Sequence, residues 1–337
     1  MKGIINMMYL LENCNTNPYY NLALEQYVFD NLDRSHSYFM LWQNDNTIVV
    51  GKHQNTAEEI NASYVKENDI SVVRRLSGGG AVYHDLGNLN FTFITDQIDG
   101  QIFDFSTFCK PVAKALASMG VDVKISGRND MTIDGKKFSG NAMYMKEGRV
   151  MHHGTLMFDS NLQIMEQALR VSKDKIESKG VKSVRGRVTN IKPYLPQNIT
   201  MKEFRQTLHN FMVTENNMSL YTLTEQDFQS IHHLQETVYS QWEWNYGTSP
   251  PYTVRKKRRI ENCGSIELFI NVGKKGIIED ISFYGDYFGN GNSNELTAAL
   301  KGYRIEEHSL SESLEGVDVG QYINNLKRED LLDILLS

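Results

Sequence analysis

Apolar residues recur along this chain at two periods. Short runs alternate and longer runs follow three-to-four spacing, so strands and helices are interleaved from end to end. The opening stretch, MKGIINMMYLLEN, predicts a first strand. Asn17-Pro18 predicts a helix start, with Asn as N-cap and Pro at the first helical position. Tyr20, Leu24, Tyr27 and Val28 then share one face as core residues. Tyr38 to Trp42 and Thr47 to Val50 predict a hairpin across Gln43-Asn44-Asp45-Asn46. Thr56 and Glu59 match a capping box for a helix reaching about Asn68. Val72 to Ile94 reads as strand, glycine loop, strand, turn and strand.

Val112, Leu116 and Met119 lie at helical spacing before Gly120, a suitable helix stop. Val121 to Ile125 predicts a strand. Met131-Thr132-Ile133 and the run from Lys137 predict a hairpin closed by Asp134-Gly135, a strong type I′ turn sequence. A second hairpin turns at Lys146-Glu147-Gly148 and returns over Val150 to Phe158. A helix follows from about Asn161 to Val171, then a polar, lysine-rich loop to Asn190. Thr200 and Glu203 form another capping box, and Phe204, Leu208, Phe211 and Met212 mark an amphipathic helix. A further helix starts at Thr224 and ends before Trp242. Thr248-Ser249-Pro250-Pro251 stops both helix and sheet ladders. Beyond it, Ser265 to Val272 and Ile277 to Tyr284 predict a hairpin, and Leu331 to Leu336 a helix.

The periods together predict an α+β fold: a mixed, mostly antiparallel sheet with flanking helices over residues 1–247. A linker is expected at 248–258 and a small α+β unit at 259–337. The 337 residues suffice for such a pair of units, and 40% hydrophobic content is ordinary for a globular protein. No apolar run approaches the ~18 residues of a membrane span. The N-terminus lacks a small-residue cleavage site and reads as a strand, not a signal peptide. Cys14, Cys109 and Cys263 are far apart, which predicts free thiols in a reducing compartment. The net charge of −6 argues against a general nucleic-acid surface. The basic run Arg255-Lys256-Lys257-Arg258-Arg259 is the exception, a solvated linker or strand edge or else a patch for an acidic protein partner.

The chemistry concentrates at Arg74-Arg75-Leu76-Ser77-Gly78-Gly79-Gly80. Glycines let backbone N–H groups approach a ligand and adopt positive φ, and successive N–H groups can form an anion site. Two arginines add fork-shaped donors. The loop is not a Walker A or dinucleotide motif, because a strand follows it, not a helix. Downstream, Lys137 begins a strand ending in Ser139-Gly140-Asn141-Ala142, small residues that let a ligand lie against the backbone. An ammonium there can offset charge where a carboxylate meets a phosphate. Its neighbour Lys136 competes for the role, since adjacent strand residues face opposite ways. Asp130 can orient Mg²⁺ or a nucleotide, or serve as turn chemistry. His84 can bond a nucleotide or shape the glycine loop. His152-His153 is expected to face both sides of a strand, so no zinc site is assigned.

Arg74 to Asp85, reading RRLSGGGAVYHD, resembles the lipoate–protein ligases. Four later segments agree in order: Ser126-Gly127-Arg128-Asn129-Asp130, Lys137-Phe138-Ser139-Gly140-Asn141-Ala142, His152-His153-Gly154-Thr155-Leu156 and the run from Ser183 to Asn190. The resemblance extends past Trp242-Glu243-Trp244-Asn245 and covers nearly the whole chain. It implies the catalytic fold of the biotin and lipoate ligases with a small accessory domain. It also implies two steps: lipoate and ATP give lipoyl-AMP with Mg²⁺, then the acyl group passes to a lysine of a lipoyl domain. The implied acceptors are lipoyl domains of 2-oxoacid dehydrogenase complexes and glycine cleavage H protein, in the cytoplasm, without nucleic acid or membrane. The family pattern selects Lys137 over Lys136 as catalytic. Arg75, Gly80, Ala81, Val82, Tyr83, His84, Asp130 and Lys137 are then expected around ATP, with Arg75 on phosphate. Gly78, Gly79, Arg75 and Lys137 are expected around lipoate. The loop Val181–Asn190 is implied to close over the adenylate and the small domain to swing aside. Rival readings are a cysteine-dependent octanoyl or lipoyl transferase of the same fold, a biotin ligase, and a non-catalytic lipoate or adenylate sensor.

Overall fold

The Asn17–Pro18 start behaves as its chemistry dictates. In the computed structural model, which describes residues 7–97, 104–126, 129–169, 186–247, 254–289 and 292–336, the Asn17 side chain accepts from the N–H groups of Tyr19 and Tyr20. Pro18 opens the helix Pro18–Asn31. Further on, the Thr200 and Glu203 side chains cap each other's backbone reciprocally at the start of Met201–Asn216, and Thr224 and Asp227 do the same for Glu225–Leu234.

Among the described residues fourteen strands are numbered in chain order. A mixed sheet holds eight: β1 (Met8–Glu12), β2 (Ser37–Trp42), β6 (Asn88–Asp96), β7 (Lys124–Ser126), β8 (Asp130–Ile133), β9 (Lys136–Lys146), β10 (Arg149–Met157) and β11 (Ser219–Tyr221). Their order is β11-β1-β2-β6-β10-β9-β8-β7. The β11–β1 and β1–β2 pairs are parallel and the rest antiparallel. Alternation sorts the faces. Phe39, Leu41, Phe91 and Phe93 pack with the helices Phe105–Ser118 and Met201–Asn216. Tyr38, Met40, Trp42 and Ile94 pack under Pro18–Asn31. Each large apolar side chain buried this way contributes about 1.5–3 kcal/mol.

A second sheet of β3 (Thr47–Val50), β4 (Ser71–Arg74) and β5 (Val82–His84) carries the glycine loop between β4 and β5. The expected Tyr38–Val50 hairpin is therefore wrong. β2 pairs with β1 and β6, whereas β3 pairs with β4 and β5. Both strands are buried at every position, so neither has a polar face to fix its partner. The single helix expected from Thr56 is two short ones, Thr56–Glu59 and Ala62–Glu67, each capped by an asparagine, Asn55 and Asn61. They part at Ile60, which bridges to Leu169. The strand expected from Val121 is only Lys124–Ser126, and the helix expected to reach Val171 is described over Leu162–Ala168.

A third, antiparallel sheet, β12 (Val254–Ile260), β13 (Gly264–Val272) and β14 (Ile278–Gly285), forms the smaller C-terminal domain with the helices Ser293–Leu300, Glu307–Ser313 and Arg328–Leu336. The expected linker at 248–258 gives its last five residues to β12, because the basic run pairs along Ser265–Ile270. The C-terminal domain touches the glycine loop directly. The Gly79 N–H donates to the Tyr287 carbonyl at 3.2 Å, and the Tyr287 ring stacks on His53 at 4.7 Å.

Candidate active site

A cleft of about 600 Å³ opens where the glycine loop, β5, the β8–β9 hairpin and the C-terminal domain meet. Nearly every residue singled out in the sequence lines it: Arg75, Gly79, Gly80, Ala81, Val82, Tyr83, His84, Asp130 and Lys137. Gly78 does not. A Cβ built on it would lie 2.4 Å from the Tyr287 carbonyl oxygen, so its open side meets the C-terminal domain, not a ligand. Gly79 has φ +91°, a conformation that excludes most side chains.

Lys137 reaches the cleft through a defect in the hairpin. Asp134 and Gly135 both take positive φ, as a type I′ turn requires. From that turn, Thr132 faces Lys137, yet Met131 faces Ser139, so Phe138 is an extra residue in β9. Strict alternation back from Gly140 would place Lys136 on the cleft side. The bulge puts Lys137 there instead, beside Asp130, and sends Phe138 into the core. The Lys137 ammonium lies 2.7 Å from Asp130 Oδ1. Gly140 makes room for it, since a Cβ there would come within 2.9 Å of Lys137 Nζ. The Lys137 backbone is also held by Arg187 and Thr189. Of the expected closing loop, 181–185 lies outside the described residues, while Gly186, Arg187 and Val188 line the cleft.

The arginines differ from expectation. Arg75 donates through Nε to Ser77 Oγ (3.0 Å), through Nη1 to the Val49 carbonyl (3.2 Å), and through Nη2 to the Gly78 and Gly80 carbonyls (2.6 and 2.9 Å). Its fork is spent on shaping the loop, where phosphate contact was expected. Burial brings its pKa down to about 10. Arg74 is a second clamp, donating to the carbonyls of Gly51, Lys52, Gln54, Trp244 and Asn245 and to Thr56 Oγ1. Buried guanidinium groups persist only when their donors are satisfied in this way.

Several cleft groups were not foreseen. His153 Nε2 lies 2.6 Å from Ser77 Oγ, and its Nδ1 lies 3.0 Å from Glu25 Oε1. This chain ties the loop to the first helix. His152 points to the opposite face as alternation requires, stacked on Phe108, and burial holds it neutral. His84 Nδ1 meets Asn44 Nδ2 at 3.2 Å, and burial followed by the Arg75 charge pushes its pKa down to about 3. His84 Nε2, Asn88 Oδ1 and Asn90 Nδ2 are buried on the cleft wall without protein partners. Asn88 donates to Asn90, which leaves the Asn88 acceptor and the Asn90 donor unpaired. Arg259, Asp286 and Phe288 reach the cleft from the C-terminal domain. Arg259 belongs to the basic run, which the sequence offered as a solvated edge or a patch for an acidic protein, not as part of the cleft. For Phe288 the sequence offered no sign.

Comparison with known proteins bears on both halves of the chain. The lipoyl protein ligase A/B catalytic domain matches residues 17–212, and the bacterial lipoate protein ligase C-terminus matches residues 249–335. Lipoate-protein ligase LplJ of Bacillus subtilis (strain 168) is 46% identical over 332 residues, 97% of this chain and 100% of its own. Among solved structures, P. falciparum LipL1 in complex with lipoate shares the fold, with TM-score 0.77 at 24% identity over 98% of each chain. A lipoate-protein ligase A bound with ATP gives TM-score 0.62 at 26% identity, over 72% of this chain and 98% of its own.

Proposed function

This chain belongs to the lipoate–protein ligase family, and from that premise we propose that its cleft condenses lipoate with ATP and passes the acyl group to a protein lysine. The observation that carries the reading is the Lys137–Asp130 pair at 2.7 Å, on the wall of the cleft the glycine loop borders. A carboxylate approaching the α-phosphate brings two anions together. The Lys137 ammonium offsets charge on both, in the bound state and as the bond forms. Asp130 holds that ammonium in place. Gly80, Ala81, Val82 and Tyr83 border the nucleotide, and His84, Asn88 and Asn90 offer it buried polar edges. Gly79 and Arg75 border the carboxyl end of lipoate, with Arg75 acting through the loop carbonyls it grips. Residues 1–247 form the catalytic body and the C-terminal sheet an accessory domain.

Mg²⁺ suits this donor set when carried by the triphosphate, with Asp130 as the protein carboxylate. Magnesium commonly keeps its waters and uses one or two carboxylates beside phosphate oxygens. Bound there, it would neutralise phosphate charge. The acceptors in this reading are lipoyl domains of 2-oxoacid dehydrogenase complexes and glycine cleavage H protein, in the cytoplasm. Among the described residues no helix is long and apolar enough to cross a membrane.

The cysteine-dependent transferase is disfavoured by where the thiols sit. Cys109 is buried in a helix with its pKa pushed up to about 12 by burial, Cys263 is buried in the C-terminal core, and Cys14 is exposed. None of them lines the cleft. The test incubates the protein with ATP, Mg²⁺, lipoate and an apo lipoyl domain. The expected result is an ATP-dependent acyl mass shift on the domain with stoichiometric pyrophosphate. Acylation without ATP, or through a protein thioester, would overturn the reading.

A further inference from the structure

All five members of the basic run lie on β12, and three of them serve the fold. Arg255 pairs with Glu267 and, at 3.4 Å, with Glu58 of the catalytic body. Lys256 donates to the Leu335 carbonyl, and Arg258 pairs with Asp333. Arg259 alone among them lines the cleft. Its nearest carboxylate, Asp286 Oδ2, stands 3.8 Å from Nη1, too far for a hydrogen bond. Asp286 itself is fixed, with Oδ1 accepting from the Ser265 N–H at 2.6 Å. The guanidinium is thus aimed by a rigid carboxylate and keeps donors available at the cleft.

The other cleft cations have prior engagements. Arg75 spends Nη1 and Nη2 on backbone carbonyls, Lys137 is held by Asp130 where the carboxylate and α-phosphate meet, and Arg187, whose carbonyl accepts from the Lys137 N–H, is likewise engaged. ATP carries most of its charge on the two outer phosphates, which need fork-shaped donors elsewhere. We propose that Arg259, positioned by Asp286, binds the outer phosphates of ATP, so that the C-terminal domain contributes a substrate-binding residue to the first half-reaction only. In that step a lipoate carboxylate oxygen attacks the α-phosphorus and forms the mixed anhydride. The bond from that phosphorus to the bridging oxygen breaks, and its electron pair leaves with pyrophosphate. Arg259 holds the departing group and has nothing to hold once the adenylate stands alone. The proposal rests on the ligase reading above and deepens it.

The two half-reactions separate the possibilities. Arg259→Gln, checked for folding by thermal melting, is assayed for lipoate-dependent pyrophosphate release over a range of ATP concentrations. It is assayed in parallel for acyl transfer from prepared lipoyl-AMP to an apo lipoyl domain. The expected result is a rise in KM for ATP of about 10- to 100-fold, the usual worth of a hydrogen-bonded charge contact, with transfer unchanged. Arg259→Lys, which keeps the charge and loses the fork, should fall between, and it carries the test if the Gln protein does not fold. Lys257→Gln on the same strand should behave as wild type. Equal losses in both half-reactions, an unaltered ATP dependence, or the same defect in Lys257→Gln would each overturn the assignment. A wild-type protein that released no pyrophosphate would instead overturn the ligase reading itself.

Discussion

The two cores of this protein bury different chemistry. Beneath β12–β14 the cluster is aliphatic and aromatic, from Ile266 and Leu268 to Leu331 and Leu335, and the Tyr287 hydroxyl donates to the Phe283 carbonyl. The catalytic body keeps Glu25, Arg74, Arg75, His84, Asn88, Asn90 and His153 at or below 8% exposure. Burying such groups costs free energy unless each is hydrogen-bonded. Here they are bonded to one another and to loop carbonyls, and the atoms left over belong to residues of the cleft wall. The C-terminal domain needs little of this: among its described residues Glu267 is the one charged side chain buried as deeply, and it pairs with Arg255. The buried polar network and the almost wholly apolar core therefore lie in different regions, which meet at Gly79 and Tyr287.

The largest expected effect falls on the reacting centre. Lys137→Met keeps bulk and removes the ammonium, so lipoate-dependent pyrophosphate release should drop about 10²–10³-fold, with the melting temperature little changed because the side chain is more than a third exposed. Activity within tenfold of wild type would move the chemistry away from the bulge. Next is the apolar core. Leu296 is fully buried there, and Leu296→Ala should cost about 2–5 kcal/mol. Hydrogen exchange should place that loss in residues 254–336 and leave β6 and β10 protected; protection lost equally from both sheets would show that the cores unfold as one unit.

Arg75→Lys sharpens the contrast from the polar side. It keeps the charge but abandons at least one of the carbonyls of Gly78 and Gly80, at about 1–3 kcal/mol for an unsatisfied buried group. Melting temperature and lipoyl-AMP binding should fall together. A loss of ATP affinity at unchanged stability would restore the direct phosphate contact that the sequence suggested. Acid gives the smallest and most graded effect. Burial pushes His53 and His84 from 6.5 down to about 3. Above pH 6.5 both folded and unfolded states are neutral at these rings. Between pH 6.5 and 3 only the unfolded chain takes the protons, so stability falls with pH by about 1.4 kcal/mol per unit for each histidine. His308, the one histidine of the C-terminal domain, is exposed. Exchange protection should thus fail in the catalytic body first as pH drops, and His84→Gln should flatten the slope. Simultaneous failure of the two domains would show that these rings do not set the acid response.

Much of the site was legible because its parts lie close in sequence. The glycine loop, its arginines and His84 occupy a dozen residues, and the Asp134-Gly135 turn places Asp130 near Lys137 whatever the rest of the fold does. The choice of Lys137 over Lys136 was legible only through a resemblance, since alternation argues the other way. The destination of the arginine forks was hidden, because their acceptors are carbonyls, which every residue carries. Arg259 and Phe288 were hidden by distance, lying about two hundred residues beyond the loop they face.

The sequence by itself determined many local elements: the caps at Asn17, Thr200 and Thr224, the type I′ turn at Asp134-Gly135, and a glycine stretch suited to an anion. These follow from side-chain chemistry within a few residues. Only the tertiary structure decided which sheet takes β3, which lysine enters the cleft, and which domain supplies Arg259. Strand pairing, a one-residue bulge and a domain contact are long-range choices. Fully buried strands carry no polar face from which to read them.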